Sequence, residues 1–181
     1  IADKAKQEKI LTNVLENDEI PAITTPYFNF FELDVLCRMG KLQEVLDKIR
    51  SYWGGMLDLG AVTFWEEYDP SVPKEEQYDM YGDHFGKSLC HAWAASPIYF
   101  LAKYFAGLDF VNKDGVIYVL KPQMQYFTEL DCTLPVGSNG TVRIVWDGEY
   151  LEITPDADGG VLEFGEQKLS LVRGETRRVK I

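Results

Sequence analysis

Basic residues are scarce in this chain. Eighteen Lys and Arg stand against 29 Asp and Glu, giving a formal charge of −11 and a pI near 4.6. Such a field repels a phosphate backbone, and no Lys/Arg stripe offsets it, so nucleic acid and anionic membranes are excluded as expected partners. The one basic cluster, Arg173 to Lys180, is interrupted by Glu175 and Val179 and reads as a terminal strand. Cysteine is also sparse. Cys37, Cys90 and Cys132 form no Cys-x-x-Cys and cannot all pair internally, so they read as buried thiols acting as small hydrophobes. The two histidines, His84 and His91, stand seven apart. That is not the i, i+4 pair of a helical zinc site, so no metal and no cofactor is expected. There is no apolar run long enough to span a bilayer, no internal repeat and no low-complexity tract. The chain opens Ile1-Ala2-Asp3 without Met, as expected of an excised piece whose N-terminal part is missing. Its compartment is therefore not read from the sequence.

What is present is globular: 46% hydrophobic, 26% charged and 13% aromatic. Two regions differ in period. Residues 1–108 read as helical hairpins. Ile10, Leu11, Val14 and Leu15 share a helical stripe, Phe30 to Leu36 begin a second helix ended by Gly40, and Leu42, Val45, Leu46, Ile49 and Trp53 repeat until Gly54-Gly55. A fourth helix is predicted from Phe85 to Phe105, apolar on nearly every face, and such a helix expects other helices around it. From residue 109 to 181 the period is two. Val142, Ile144 and Trp146 alternate with polar residues, as do Leu169 and Leu171, and Ser138-Asn139-Gly140-Thr141 predicts a type I′ hairpin. Asn139-Gly140-Thr141 also fits a glycosylation sequon, but the turn accounts for it. Asp158-Gly159-Gly160 and Arg173-Gly174-Glu175 mark further turns, so a small antiparallel β-sandwich is expected.

Chemistry concentrates in the connection of roughly 28 residues from Met56 to Asp83. Connections this long without regular structure are uncommon unless they are functional or disordered, and this one is rich in Trp, Tyr and Asp. Glu66 and Glu67 lie between Trp65 and Tyr68 in the string Gly60-Ala61-Val62-Thr63-Phe64-Trp65-Glu66-Glu67. A carboxylate beside ring faces can be desolvated, which suits it to general-base work, and glycosidases need two carboxylates about the scissile bond. A surface acidic pair or a helix cap is the competing reading. Tyr78, Asp79, Tyr81 and Asp83 either reach sugar hydroxyls or pack the loop, and His84 reads as a capping or surface residue.

In combination with Tyr52-Trp53-Gly54-Gly55-Met56-Leu57, Thr24-Thr25-Pro26-Tyr27 and Ser88-Leu89-Cys90-His91-Ala92-Trp93, that string resembles bacterial α-L-rhamnosidases of glycoside hydrolase family 78. The resemblance covers nearly the whole chain. It implies an α+β fragment: helical hairpins of a six-hairpin (α/α)6 barrel over residues 1–108, then a terminal β-sandwich over 109–181. It implies inverting removal of α-L-rhamnose from a glycan or glycoside, with Glu66 as general base and the general acid upstream of this chain, so that the chain alone is inactive. Glu67 stands where family members often carry Arg. The Ser-x-x-His motif falls on Ser88 and His91; His91 would touch the sugar, with Trp65, Trp93 and Glu67 at the pocket. By the same resemblance the parent is expected to be exported or periplasmic, with a cytoplasmic location as the alternative. The alternatives are another six-hairpin glycosidase, a non-catalytic carbohydrate-binding module and a purely structural piece.

Overall fold

The computed structural model describes residues 3–17 and 19–181; Ile1 and Ala2, the start that reads as an excised end, lie outside the described residues. The chain divides into two compact units, Ile1–Pro97 and Ile98–Ile181.

The first unit holds α1 (Lys4–Ile10), α2 (Pro26–Arg38), α3 (Leu42–Lys48) and α4 (Gly54–Asp58). α1 is prolonged by a wide π-type turn over Leu11–Leu15, and α3 runs through another, Ile49–Trp53, into α4. α2 starts on Pro26, whose fixed φ and missing N–H suit a first helical position. It buries Asn29, Leu33, Leu36 and Cys37 at helical spacing and packs on α3, which buries Val45 and Leu46. Its other side leaves Tyr27, Phe28, Phe31 and Val35 exposed.

A helical segment, α5 (Ser96–Phe100), crosses the division and continues through a π-type turn, Leu101–Phe105. The second unit is two four-stranded sheets. One orders β1 (Leu108–Lys113), β2 (Val116–Leu120), β6 (Gly160–Phe164) and β7 (Gln167–Leu171); the other orders β3 (Leu130–Pro135), β4 (Thr141–Trp146), β5 (Tyr150–Pro155) and β8 (Arg177–Lys180). Tyr118, Leu120 and Leu162 from the first sheet join Val142, Ile144, Leu151 and Ile153 from the second in one buried core. Alternation along β4 supplies its part, because successive side chains leave opposite faces of a strand.

This architecture corrects the expected fold class. The helices are short, the longest α-helical run being the 13 residues of α2, and the chain is β-rich, with two four-stranded sheets in place of the hairpins of an (α/α)6 barrel. The expected antiparallel sandwich is mixed, since β2 and β6 run parallel. The long helix predicted over Phe85–Phe105 is broken. Residues Phe85 to His91 have no regular structure, Ala92–Ala94 is one 3₁₀ turn, and the helix starts only at Ser96. Pro97 fits this late start, because it has no N–H to donate backward and is therefore tolerated in the first turn of a helix but not in its interior. Gly54-Gly55 does not stop a helix but lies inside α4. The β3–β4 hairpin closes through a 3₁₀ turn, Gly137–Asn139, with Val136 N–H donating to Gly140 O at 2.9 Å, rather than through a two-residue type I′ turn. Cys37 is buried and burial pushes its thiol up to about 12, whereas Cys90 is exposed, contrary to expectation.

Candidate functional site

The four stretches that carry the resemblance converge in the first unit. Phe64 to Glu66 runs alongside Ser88 to His91: Glu66 N–H donates to Ser88 O at 2.9 Å, His91 N–H donates to Phe64 O at 2.8 Å, and the Thr63 hydroxyl donates to Leu89 O. Tyr68 N–H donates to Thr24 O at 3.1 Å, and the Tyr52 hydroxyl donates to the same oxygen, which ties the entry to α2 against the loop. Trp53 Nε1–H donates to Ala94 O at 2.8 Å. The loop between is ordered from inside by Gln77, which is 2% exposed and donates to Asp69 O and Val72 O. Length without regular structure is therefore not disorder here.

Glu66 sits at the centre, its side chain only 11% exposed. Its Oε1 accepts from the Tyr81 hydroxyl at 3.0 Å, and its Oε2 accepts from Ser88 N–H at 3.1 Å. His91 Nδ1 stands 3.8 Å from the same Oε2. A carboxylate with both oxygens engaged is fixed in orientation. His91 is not mid-helix as expected. Its backbone is extended, immediately before the 3₁₀ turn, and that aims the imidazole at Glu66. Its ring also meets Trp93, with centroids 4.3 Å apart, and Trp93 meets Tyr27 at 5.2 Å. Trp93 and Tyr27 are both about half exposed, so a partly open ring surface continues from His91.

Trp65 is placed otherwise. It is 3% exposed and packs edge-on against Tyr78 at 5.7 Å, so it backs the site from the core and offers no open face. Glu67 turns away from Glu66's partners. Its Oε1 accepts from the Thr24 hydroxyl at 2.8 Å, and its Oε2 lies 3.9 Å from the ammonium of Lys87. His84 is an exposed residue paired with Asp79.

Two contributors carried little or no sequence signal. Tyr81 and Gly82 form a tight turn, with φ of 55° and 80°, closed by reciprocal bonds between Met80 and Asp83. The positive φ at Tyr81 brings its phenol onto Glu66, and the Gly after it is the available clue. Lys87, just past the loop, has a side chain only 4% exposed and gave no sequence clue. Among the described residues no cluster of three or more His, Cys, Asp or Glu is arranged to hold a metal ion. No helix among them is long and apolar enough to cross a membrane. No family model matches the chain, and no curated protein matches it.

Proposed function

We propose that this chain carries the proton-accepting part of a site that hydrolyses α-L-rhamnosides with inversion, Glu66 being the general base. The reading rests on the local strings that resemble the rhamnosidases and not on a barrel. The observation that carries it is the state of Glu66: largely dehydrated, held through both oxygens by Tyr81 and Ser88, and beside His91, whose ring in turn meets the half-exposed Trp93.

In this mechanism Trp93 receives the C–H face of the sugar and His91 a hydroxyl. A water on the face of the ring opposite the leaving group attacks the anomeric carbon as Glu66 removes its proton. A protonated carboxyl from outside this chain gives its proton to the departing oxygen. Glu67, held by Thr24 and Lys87, is not the base.

The test is hydrolysis of a chromogenic α-L-rhamnoside by the longest natural polypeptide that contains these residues. Glu66→Gln should lower kcat by about 10²–10⁴-fold, the usual worth of a placed base, with rhamnose affinity kept. Glu67→Gln should lose less than Glu66→Gln. Full activity in Glu66→Gln removes the assignment. The half-exposed rings of Trp93 and Tyr27 favour a second reading, sugar binding without chemistry. It predicts rhamnose binding that Trp93→Ala abolishes and no turnover in any form of the protein.

A further inference from the structure

We infer that Lys87 is a positioning residue of this site: its buried ammonium holds Glu67 aside and leaves Glu66 as the carboxylate free to work. The inference rests on the proposed role of Glu66. Lysine is seldom buried this fully unless paired, and the Lys87 side chain is 4% exposed. Its nearest carboxylate is Glu67, at 3.9 Å, and Glu67 is secured on its other oxygen by Thr24. Consecutive residues on one segment thus grip consecutive residues on the other: Lys87 faces Glu67, and Ser88 N–H binds Glu66. Lys87 is itself fixed by its backbone N–H, which donates to Tyr78 O at 3.2 Å.

Burial pulls the Lys87 ammonium below the ordinary lysine value, and Glu67, Asp69, Asp79 and Glu66 oppose that pull. The ammonium is therefore the local counter-charge to four carboxylates. Without it Glu67 would keep only its bond from Thr24, and repulsion between the adjacent carboxylates would shift Glu67 and disturb Glu66 beside it. That makes the purpose of Lys87 specific. It is needed because Glu67 is charged.

The test compares Lys87→Met, Glu67→Gln and the double variant with the unaltered chain, reading two signals. The first is the ¹³C resonance of the Glu66 carboxyl carbon, observed without substrate. Lys87→Met should move it, and the double variant should return it to the position seen in Glu67→Gln. The second is rhamnoside turnover in the longest natural polypeptide. There Lys87→Met should lower kcat by roughly 10²-fold with KM changed less than about threefold, and the double variant should recover most of the loss. A folded Lys87→Met whose Glu66 resonance is unmoved overturns the inference. If Lys87→Met does not fold, the double variant decides: folded, with the Glu66 resonance of Glu67→Gln, it supports the inference, and unfolded it overturns it. Absence of turnover in the unaltered polypeptide tells against the rhamnoside reading alone, because the carboxyl resonance still judges Lys87.

Discussion

Tyr81 shows what a single residue contributes here. A non-glycine residue in the left-handed region costs roughly 1–2 kcal/mol, and Tyr81 holds that conformation at φ 55° although the residue is 82% exposed. The conformation closes the Met80–Asp83 turn and carries the phenol to Glu66 Oε1. The Glu66 carboxylate, accepting that bond, raises the phenol above its ordinary value, so Tyr81 remains a donor throughout the neutral range. Tyr81→Phe should therefore leave the melting temperature nearly unchanged while lowering kcat. Water can replace an exposed donor in the stability balance, whereas loss of the orientation it gives the base should cost roughly 10- to 100-fold in kcat. Steady-state kinetics beside calorimetry checks this, and an equal loss of stability would mark Tyr81 as structural. At this scale the sequence indicated Glu66, His91 and Trp93 through their motifs. It could not indicate that Trp65 is buried, because an indole beside two acids has the same spelling whether it faces a cleft or a core. Lys87 was illegible for a related reason: only the fold brings it to Glu67.

Among the elements, α4 carries the clearest consequence. Gly54 and Gly55 both have helical surroundings, yet they are not equivalent. A Cβ at Gly54 would meet nothing within 4 Å, whereas at Gly55 it would fall 2.4 Å from the Tyr68 hydroxyl oxygen and 2.7 Å from its Cε1. The Tyr68 ring packs edge-on against Tyr52 at 5.5 Å and its backbone is tied to Thr24, which limits how far the ring can withdraw. Gly54→Ala should stabilise the protein by about 0.5–1 kcal/mol, since alanine is the better helix former. Gly55→Ala should destabilise it by about 1–3 kcal/mol, the usual result of overfilling a packed contact. Opposite shifts in the melting temperatures of the two variants check the pair, and two stabilising substitutions would show that Tyr68 does not need that space. The Gly-Gly pair looks like a helix terminator because the sequence cannot display a ring arriving from residue 68. The apolar run Phe85–Phe105 misleads in a similar way. Its composition fits a buried helix, but Pro97 interrupts it, and Ser88 to His91 instead run alongside the Glu66 segment and bond to it. Alternation in β4 was legible because strand period is local, while the parallel pairing of β2 with β6 depends on chain far apart in sequence.

At the scale of the molecule, a formal charge of −11 implies mutual repulsion among carboxylates, yet several are held in their charged form by specific partners. The Ser71 hydroxyl and amide hold Asp69 below the ordinary carboxylate range. Arg143 does the same for Asp131 through a two-pronged contact at 3.0 and 2.7 Å, and the amides of Tyr150 and Glu149 for Asp147. Lys121 and Lys168 together lower Glu163. Each of these groups has a folded value below its unfolded one, near 3.8 for Asp and 4.5 for Glu. In acid the unfolded chain therefore binds protons first, so stability is fully present above those unfolded values and is lost as pH falls through the folded ones. Lys87 acts at the other end with the opposite group. Its folded value is depressed below 10.5, so between the two values the unfolded chain again holds more protons, and stability rises with pH there. The melting temperature should thus be nearly flat from neutral pH down to about 5 and fall progressively below about 4.5. Asp131→Asn should lower stability at neutral pH and flatten part of the acid fall, because the charge that Arg143 selects is already gone. Calorimetry across pH 2.5–8 reads both effects, and a melting temperature indifferent to pH below 4 would show that these partners contribute nothing to the folded state.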